Sequence, residues 1–343
     1  MNNSTQLFPP LNGTATTTAG FQYFPQLVWI CAVLITTVFG TFANVLLLVT
    51  LCVYKPLRQS SSCPLIIHCI AINLYMTAIT VPASTIPPFL GPNFDLPHNF
   101  CRYQILFSSA YPLTAFSESL LALHRLSAVI LPDVFRSITN RKATAIFIVL
   151  PWVMTIILNA FPVAEVGFKF IRSKVTGGCA FISTEGSTFH MLLYSVFVSY
   201  APTAVMGLSY LVVLVKTSRD LKRRRSSRNL RRRMEISRTL FFSFLWQCIT
   251  IYPILVFLAF FGKQFSTNLS LQLGIRWLTN SYSAINPVFF WASSRLFQEG
   301  AREVFRCRCW MRLKQHSAVG PHGEGMNKEI SITAPTRDRS LRY

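Results

Sequence analysis

The stretch ESLLALHRLSAVILP, residues 118–132, places one acid and one His-Arg pair inside an otherwise apolar run. Such a run belongs either to a water-soluble core or to a membrane span. The chain of 343 residues is 51% hydrophobic and only 13% charged, whereas charged residues make up about a quarter of an average soluble protein. The composition therefore favours a membrane protein, in which Glu118, His124 and Arg125 face other protein segments.

Seven apolar runs are long enough to cross a membrane, because a spanning helix needs about 20 mostly apolar residues. The predicted spans are residues 26–54, 63–90, 103–131, 143–164, 188–215, 239–261 and 271–292. Spans two, three and seven are the least uniform, and their interrupting residues are His68, Asn73, Glu118 and Arg276. We predict an all-α membrane protein that forms a seven-transmembrane helix bundle.

The distribution of Lys and Arg predicts the orientation, because these residues stay mainly on the cytoplasmic side. None precedes Lys55, whereas the loop after span five reads KTSRDLKRRRSSRNLRRRMEISR, residues 216–238. The N-terminus is therefore expected outside the cell, with the chain in the plasma membrane. The formal net charge of +21 is explained by this rule and by anionic membrane lipid, so nucleic acid is not an expected partner.

The predicted organisation has four parts. An outer tail covers residues 1–25, the seven-span domain 26–292, a short amphipathic eighth helix on the inner leaflet 293–309, and a polar, disordered cytoplasmic tail 310–343. Four sequons lie on the predicted outer side and are candidate glycosylation sites: Asn2, Asn3, Asn12 and Asn268.

Four cysteines outside the spans form two pairs, one on each predicted side of the membrane. Cys101 and Cys179 are the only pair available on the outer, oxidising side, so we expect a disulfide between them. Cys307 and Cys309 follow span seven on the inner side, where acylation would tether the tail to the membrane.

Landmark residues in these spans resemble those of rhodopsin-like G-protein-coupled receptors. GTFANVLLL, residues 40–48, is similar to the family's Gly-to-Asn signature and gives Asn44, and HRLSAVILP resembles the family's Asp-Arg-Tyr box and gives Arg125, Val129 and Pro132. Further landmarks follow in the family's order: Trp152, Pro202, Tyr210, Pro253, Asn286 and Pro287. The resemblance covers roughly residues 26–306. It implies an extracellular ligand, a heterotrimeric G protein at the cytoplasmic face, no enzymatic activity, and neither a cofactor nor a metal.

Departures from the family pattern are also clear. His124 stands where the family has an acid, Asn73 where it has the Asp of a sodium pocket, and Phe290 where it has Tyr. The spacing from Cys101 to Arg125 is one residue shorter than typical, which predicts a local adjustment in span three. Several of these departures are similar to divergent chemosensory receptors of the nematode serpentine type.

The resemblance implies an activation switch made of Arg125, Tyr210, Asn286 and Pro287. Arg125 either extends to the interface or pairs, in the resting state, with an acid at the start of span six, for which Glu235 is the candidate. His124, with a reference pKa of about 6.5, cannot restrain Arg125 as a carboxylate would, so raised basal activity is expected.

Glu118 is the more unusual residue. A carboxyl group at that depth is expected to be protonated or hydrogen-bonded to Asn73 or Asn286. Both a structural role and a role in the switch are compatible with this.

The family's pocket lies in the outer halves of spans three, five, six and seven. By resemblance its residues here are Phe107, Ser108, Tyr111, Tyr194, Ser195, Tyr252, Phe257, Arg276 and Asn280. Phe107 stands where amine receptors of the family have an Asp, so a biogenic amine is not expected as the ligand. Asn280 stands where opsins have a lysine, so retinal is not expected either. Arg276 extends to the membrane interface, pairs with Glu165, or anchors a ligand carboxylate or peptide C-terminus. The ligand is a chemosensory small molecule or a short peptide, and the alternative function is a seven-span transporter or channel.

Overall fold

The computed structural model describes residues 16–97, 99–131, 133, 135, 139–184, 189–223 and 228–306. Within them, eight principal helices follow one another along the chain. They are α1 (Thr16–Val53), α2 (Cys63–Leu90), α3 (Phe100–Ile130), α4 (Arg141–Val163), α5 (Phe189–Arg223), α6 (Arg228–Phe260), α7 (Leu269–Ser293) and α8 (Arg295–Phe305). The sequons Asn2, Asn3 and Asn12, the acylation candidates Cys307 and Cys309, and the tail 310–343 lie outside the described residues.

The helices α1 to α7 form the bundle of an all-α membrane protein. In the part of the chain that the structure describes, α1 to α6 are long and apolar enough to cross a membrane. The α7 helix has 25 residues, which is ample length at about 1.5 Å per residue, but it is less apolar. Its polar residues Asn280, Ser283 and Asn286 are buried, so they lie inside the bundle and do not face lipid.

Three helices extend far beyond the predicted spans, whereas the others differ from them by at most three residues at either end. The α1 helix begins at Thr16, well before residue 26, while α5 continues to Arg223 and α6 begins at Arg228. Much of the basic segment 216–238 is therefore helical and not a loop. Arg and Lys are good helix formers, which explains how the charged segments continue both helices.

Prolines shape the interior of the helices. In α2 and in α5 a π-helical turn, Met76–Thr80 and Val196–Tyr200, ends two residues before Pro82 and Pro202. Proline lacks an N–H and its ring clashes with the carbonyl four residues earlier, and the wider turn accommodates both effects. In α3 the helix is interrupted at Ser109, which agrees with the local adjustment expected in span three.

A two-stranded antiparallel hairpin, β1 (Phe168–Arg172) and β2 (Cys179–Ser183), follows α4. The disulfide between Cys101 and Cys179 ties this hairpin to the start of α3. We call this end of the bundle the disulfide end. The opposite end, where α7 runs into α8, is called the α8 end.

The α8 helix packs against α1 by one face. Leu296, Phe297 and Gly300 are buried. A Cβ added at Gly300 would lie 2.7 Å from the Thr50 side chain of α1, and the Phe297 ring packs on Phe290 of α7. The charged residues Arg302 and Arg306 lie on the exposed side. The helix Arg295–Phe305 is thus amphipathic, and residues 307–309 of the predicted segment 293–309 lie outside the described residues.

Candidate functional site

A buried hydrogen bond joins α3 to α7 in the interior of the bundle. The Tyr282 hydroxyl donates to the Glu118 carboxyl group, and these side chains are 3% and 8% exposed. The sequence predicted Asn73 or Asn286 as the partner of Glu118. The partner is Tyr282 instead, because a tyrosine side chain on α7 is long enough to reach across to α3.

The network continues from α7 to α6. The Ser243 hydroxyl donates to Asn286 Oδ1 at 2.5 Å and also lies within hydrogen-bonding reach of the Tyr282 hydroxyl. Glu118, Tyr282, Ser243 and Asn286 therefore form one polar network, which we call the Glu118 network. It links α3, α6 and α7, so any relative movement of these helices must break or rearrange it.

A small cavity of about 10 Å³ lies beside this network. Its polar lining consists of Glu118, Ser243 and Asn286, together with Tyr210 from α5. A space of this size holds roughly one water molecule. The interior at this level is thus tightly packed but polar.

A side chain from α1 replaces the helical hydrogen bond that a proline removes from α7. Pro287 leaves the Ser283 carbonyl without its helical donor, and the Asn44 amide donates to this carbonyl at 2.9 Å. The helices can approach this closely because position 40 is glycine: a Cβ there would lie 2.6 Å from the Ala284 Cβ. The motif GTFAN therefore fixes α1 against α7.

Asn73 on α2 does not join the Glu118 network. Its side chain is fully buried, and neither of its amide atoms has a hydrogen-bond partner among the described residues. A buried amide without partners is costly.

Arg125 lies inside the bundle and not in lipid. Its side chain is 9% exposed, and the guanidinium is within electrostatic range of Tyr210 on α5. Glu235, the partner that the sequence predicts for Arg125, lies near the start of α6 and lines a separate cavity together with Arg238 and Arg295.

His124 contacts Ser62 before α2 and two phenylalanine rings. Its Nδ1 is 3.2 Å from the Ser62 hydroxyl, and its ring makes edge contacts with Phe135 and Phe147 at centroid distances of 5.0 and 5.9 Å. The side chain is 1% exposed. His124 therefore packs α3 against Ser62 before α2, against Phe147 of α4 and against Phe135.

Polar residues of α3 and α7 meet at the disulfide end. The Tyr111 hydroxyl donates to Asn280 Oδ1 at 2.5 Å, and the Arg276 guanidinium is within electrostatic range of Tyr111. Arg276 Nη2 donates a long hydrogen bond of 3.4 Å to the Cys179 carbonyl. We call Tyr111, Arg276 and Asn280 the disulfide-end cluster.

Two donors in this cluster have no acceptor. Among the described residues, Arg276 Nη1 and Asn280 Nδ2 are buried without a hydrogen-bond partner, and the expected pairing of Arg276 with Glu165 is not formed. Gly178 makes room for the guanidinium, since an added Cβ would lie 2.5 Å from Nη1. The hairpin thus covers a guanidinium for which the described residues supply no paired carboxylate.

Other residues expected in the pocket have different surroundings. Phe107 is 41% exposed, and Ser108 ends the first part of α3. Tyr194 packs on the hairpin residues Phe168 and Phe181 and Ser195 bonds to the Met191 carbonyl. Tyr252 contacts Tyr200 and Phe257 contacts Phe261. Of the residues expected in the pocket, only Tyr111, Arg276 and Asn280 are brought together.

Two further residues singled out in the sequence, His68 and Asn268, make hydrogen bonds in the structure. His68, which interrupts span two, accepts a hydrogen bond of 3.1 Å from the Trp152 indole. The exposed Asn268 caps α7, since its Oδ1 accepts from the Leu271 N–H at 3.0 Å. Tyr282 and Ser243 were missed by sequence reasoning, because neither residue type is unusual in a span.

Comparison with known proteins agrees with this architecture. The family described as 7 transmembrane receptor (rhodopsin family) matches residues 43–290. This range covers the bundle from the second half of α1 to near the end of α7. No curated protein matches the chain significantly.

Proposed function

The chain belongs to the rhodopsin family of seven-transmembrane receptors, and we propose that it converts binding of an extracellular ligand into activation of a heterotrimeric G protein. In this proposal the protein lies in the plasma membrane. The disulfide end faces outside, since disulfides persist in oxidising compartments, and the Arg- and Lys-rich α8 end faces the cytosol.

The observation that carries the proposal is the Glu118 network. It joins α3, α6 and α7 through buried hydrogen bonds, which are more costly to break than exposed ones because a buried polar group left without a partner loses its solvation. Such a network stabilises one arrangement of the three helices. A rearrangement would separate α6 from α3 and open the cytoplasmic end, where the buried Arg125 would become available to a G protein.

In this proposal the ligand binds at the disulfide-end cluster. Asn280 and Tyr282 lie two residues apart on α7. A ligand that moves Asn280 therefore moves α7, the helix whose Tyr282 is hydrogen-bonded to Glu118. The ligand must bind the open arrangement more tightly than the closed one, because equal affinity for both shifts no population.

The buried donors of the cluster favour an anionic ligand group. Arg276 Nη1 and Asn280 Nδ2 have no acceptor among the described residues, and a guanidinium matches a carboxylate geometrically. The ligand class is therefore a small carboxylic acid, such as a chemosensory compound, or a short peptide that presents its C-terminus.

The test is a screen of carboxylic acids and their matched amides on cells that express the receptor with several G proteins. An acid is expected to activate, its amide to fail, and Arg276→Ala to abolish the response while Arg276→Lys keeps part of it. Lys174→Ala, on the exposed turn of the hairpin, removes the same charge at the surface and serves as the control.

Arg125→Ala separates a receptor from a seven-span transporter or channel. A receptor loses G-protein activation with ligand binding preserved. Substrate flux that continues with unchanged signalling in Arg125→Ala would overturn the proposal in favour of transport.

A further inference from the structure

The disulfide-end cluster contains two hydrogen-bond donors that no described residue satisfies. Arg276 Nη1 and Asn280 Nδ2 are both buried and have no acceptor within the part of the chain that the structure describes. The Asn280 side chain as a whole is 5% exposed. A buried donor without an acceptor is costly, so an acceptor from outside the chain would stabilise this end of the bundle.

The two donors belong to neighbouring side chains. Arg276 and Asn280 are four residues apart on α7, a spacing that places side chains next to each other on one face of a helix. The Tyr111 hydroxyl on α3 donates to Asn280 Oδ1 at 2.5 Å, so the amide oxygen is taken up and Nδ2 is left to bind. Tyr111 is also within electrostatic range of Arg276, which places both donors beside the same tyrosine.

The cluster carries one positive charge. Arg276 supplies it, and among the described residues no carboxylate lies within electrostatic range of this guanidinium, only Tyr111. A charge removed from water is stabilised where an opposite charge accompanies it. One negative charge neutralises the cluster, whereas a dianion would leave an excess of negative charge. The chemistry therefore favours a monoanion.

The hairpin limits the size of this anion. Gly178 packs directly over the guanidinium, since an added Cβ would lie 2.5 Å from Nη1, 3.1 Å from Nη2 and 2.9 Å from Pro88 on α2. The disulfide holds the adjacent Cys179. Arg172 Nη2 donates to the Gly91 carbonyl at 2.6 Å and fastens the hairpin to the chain just after α2. A small spherical anion displaces this cover less than a polyatomic anion does.

We propose that the disulfide-end cluster binds a chloride ion between Arg276 Nη1 and Asn280 Nδ2 when no ligand is present. This deepens the proposed function, on which it rests for the orientation of the cluster toward the outside, where chloride is the abundant small monoanion. A ligand carboxylate must displace the chloride and, because it is larger, must also move the hairpin. Chloride thus favours the closed arrangement and raises the ligand concentration needed for activation.

The test measures chloride binding on the full-length receptor purified in detergent. The line width of the chloride NMR signal and the melting temperature are followed as sodium chloride replaces sodium methanesulfonate at constant ionic strength. The wild type is expected to show saturable broadening and a saturable rise in melting temperature, because a ligand that binds only the folded state stabilises it by mass action. Arg276→Gln, which keeps an amide donor but loses the charge, is expected to bind chloride about tenfold more weakly, as the loss of one charge-assisted hydrogen bond implies.

Two further variants complete the experiment. In Asn280→Asp the new carboxylate still accepts from the Tyr111 hydroxyl and supplies the counter-charge itself. This variant is expected to be stable without chloride and to show no saturable effect of chloride, so it tests the proposal even if Arg276→Gln fails to fold. Lys174→Gln removes an exposed charge from the turn of the hairpin and is the matched control, which should bind chloride as the wild type does.

Several outcomes would overturn the proposal. An effect that does not saturate, or that sulfate reproduces at equal ionic strength, would show general screening of charge. Equal losses in Lys174→Gln and Arg276→Gln would show unspecific attraction to a basic surface. Chloride binding that persists in Asn280→Asp would place the ion elsewhere.

The chloride site and the proposed function fail separately. Carboxylic acids that activate a receptor without saturable chloride binding would overturn the chloride site alone. Saturable chloride binding that Arg276→Gln weakens, on a receptor that no carboxylic acid activates, would support the chloride site and overturn the proposed ligand class.

Discussion

The Tyr282 hydroxyl on α7 donates a hydrogen bond to the Glu118 carboxyl group on α3 inside the bundle. This hydrogen bond is what holds a carboxyl group inside the membrane-spanning bundle. Tyr282 is in turn within reach of Ser243 on α6, so a single tyrosine connects the three helices that the proposed activation step must move.

Tyr282→Phe is expected to raise basal G-protein signalling and lower the melting temperature. The variant keeps the ring but leaves the Glu118 carboxyl group without its partner, at a cost of about 1–3 kcal/mol for a buried group. Ligand-free signalling and thermal unfolding measure the two effects. Tyr103→Phe removes a hydroxyl from a side chain that is 62% exposed and should change neither quantity.

Glu118→Gln is expected to raise basal signalling less than Tyr282→Phe does. An amide oxygen still accepts from the Tyr282 hydroxyl, but it is a weaker acceptor than a carboxylate. The measurement is the ligand-free signal normalised to surface expression. If expression and signalling are both unchanged, Glu118 is a structural residue and not part of the switch.

His124→Asp is expected to lower basal signalling. An acid next to Arg125 would restrain the guanidinium in the closed arrangement, which His124, bonded to Ser62 and packed on Phe135, does not do. The comparison is ligand-free signalling of the two forms at equal surface expression. His124→Asn, which loses the same ring contacts without adding charge, is the control, and an equal drop in both variants would trace the effect to lost packing.

Gly40→Ala is expected to destabilise the bundle by about 1–3 kcal/mol, as overpacking in a close contact does. The added methyl would lie 2.6 Å from the Ala284 Cβ, so α1 must move away from α7 and Asn44 would lose the Ser283 carbonyl. Gly274→Ala is the matched control on α7, because nothing lies within 4 Å of its added Cβ. Similar melting temperatures for both variants would contradict the close packing of α1 on α7.

Cys101→Ser and Cys179→Ser are each expected to reduce surface expression and ligand response, and the double variant should behave like either single one. The disulfide holds the hairpin over Arg276, and such a link contributes about 2–4 kcal/mol. Flow cytometry on intact cells measures surface expression. A double variant clearly worse than both single ones would indicate that the two cysteines act separately.

The sequence by itself determined the class of fold, since low charge and long apolar runs leave few structures other than a membrane helix bundle. It also determined the ordered landmarks, because Asn44, Arg125 and Pro287 keep their spacing along the chain. The pairing of Cys101 with Cys179 followed from the side of the membrane that each occupies. These properties depend on solvent preference and on position in the chain, both of which can be read without coordinates.

Only the tertiary structure decided which polar side chains meet. Glu118 was expected to bond to Asn73 or Asn286, but its hydrogen-bond partner is Tyr282. Nine residues were expected to line one pocket, but Tyr194 packs on the hairpin while Tyr111 bonds to Asn280. Each depends on the rotation of a helix about its axis and on local breaks such as the one at Ser109. A shift of one residue turns a side chain by about 100°, the angle that 3.6 residues per turn imply, so partners across helices are fixed by packing and not by composition.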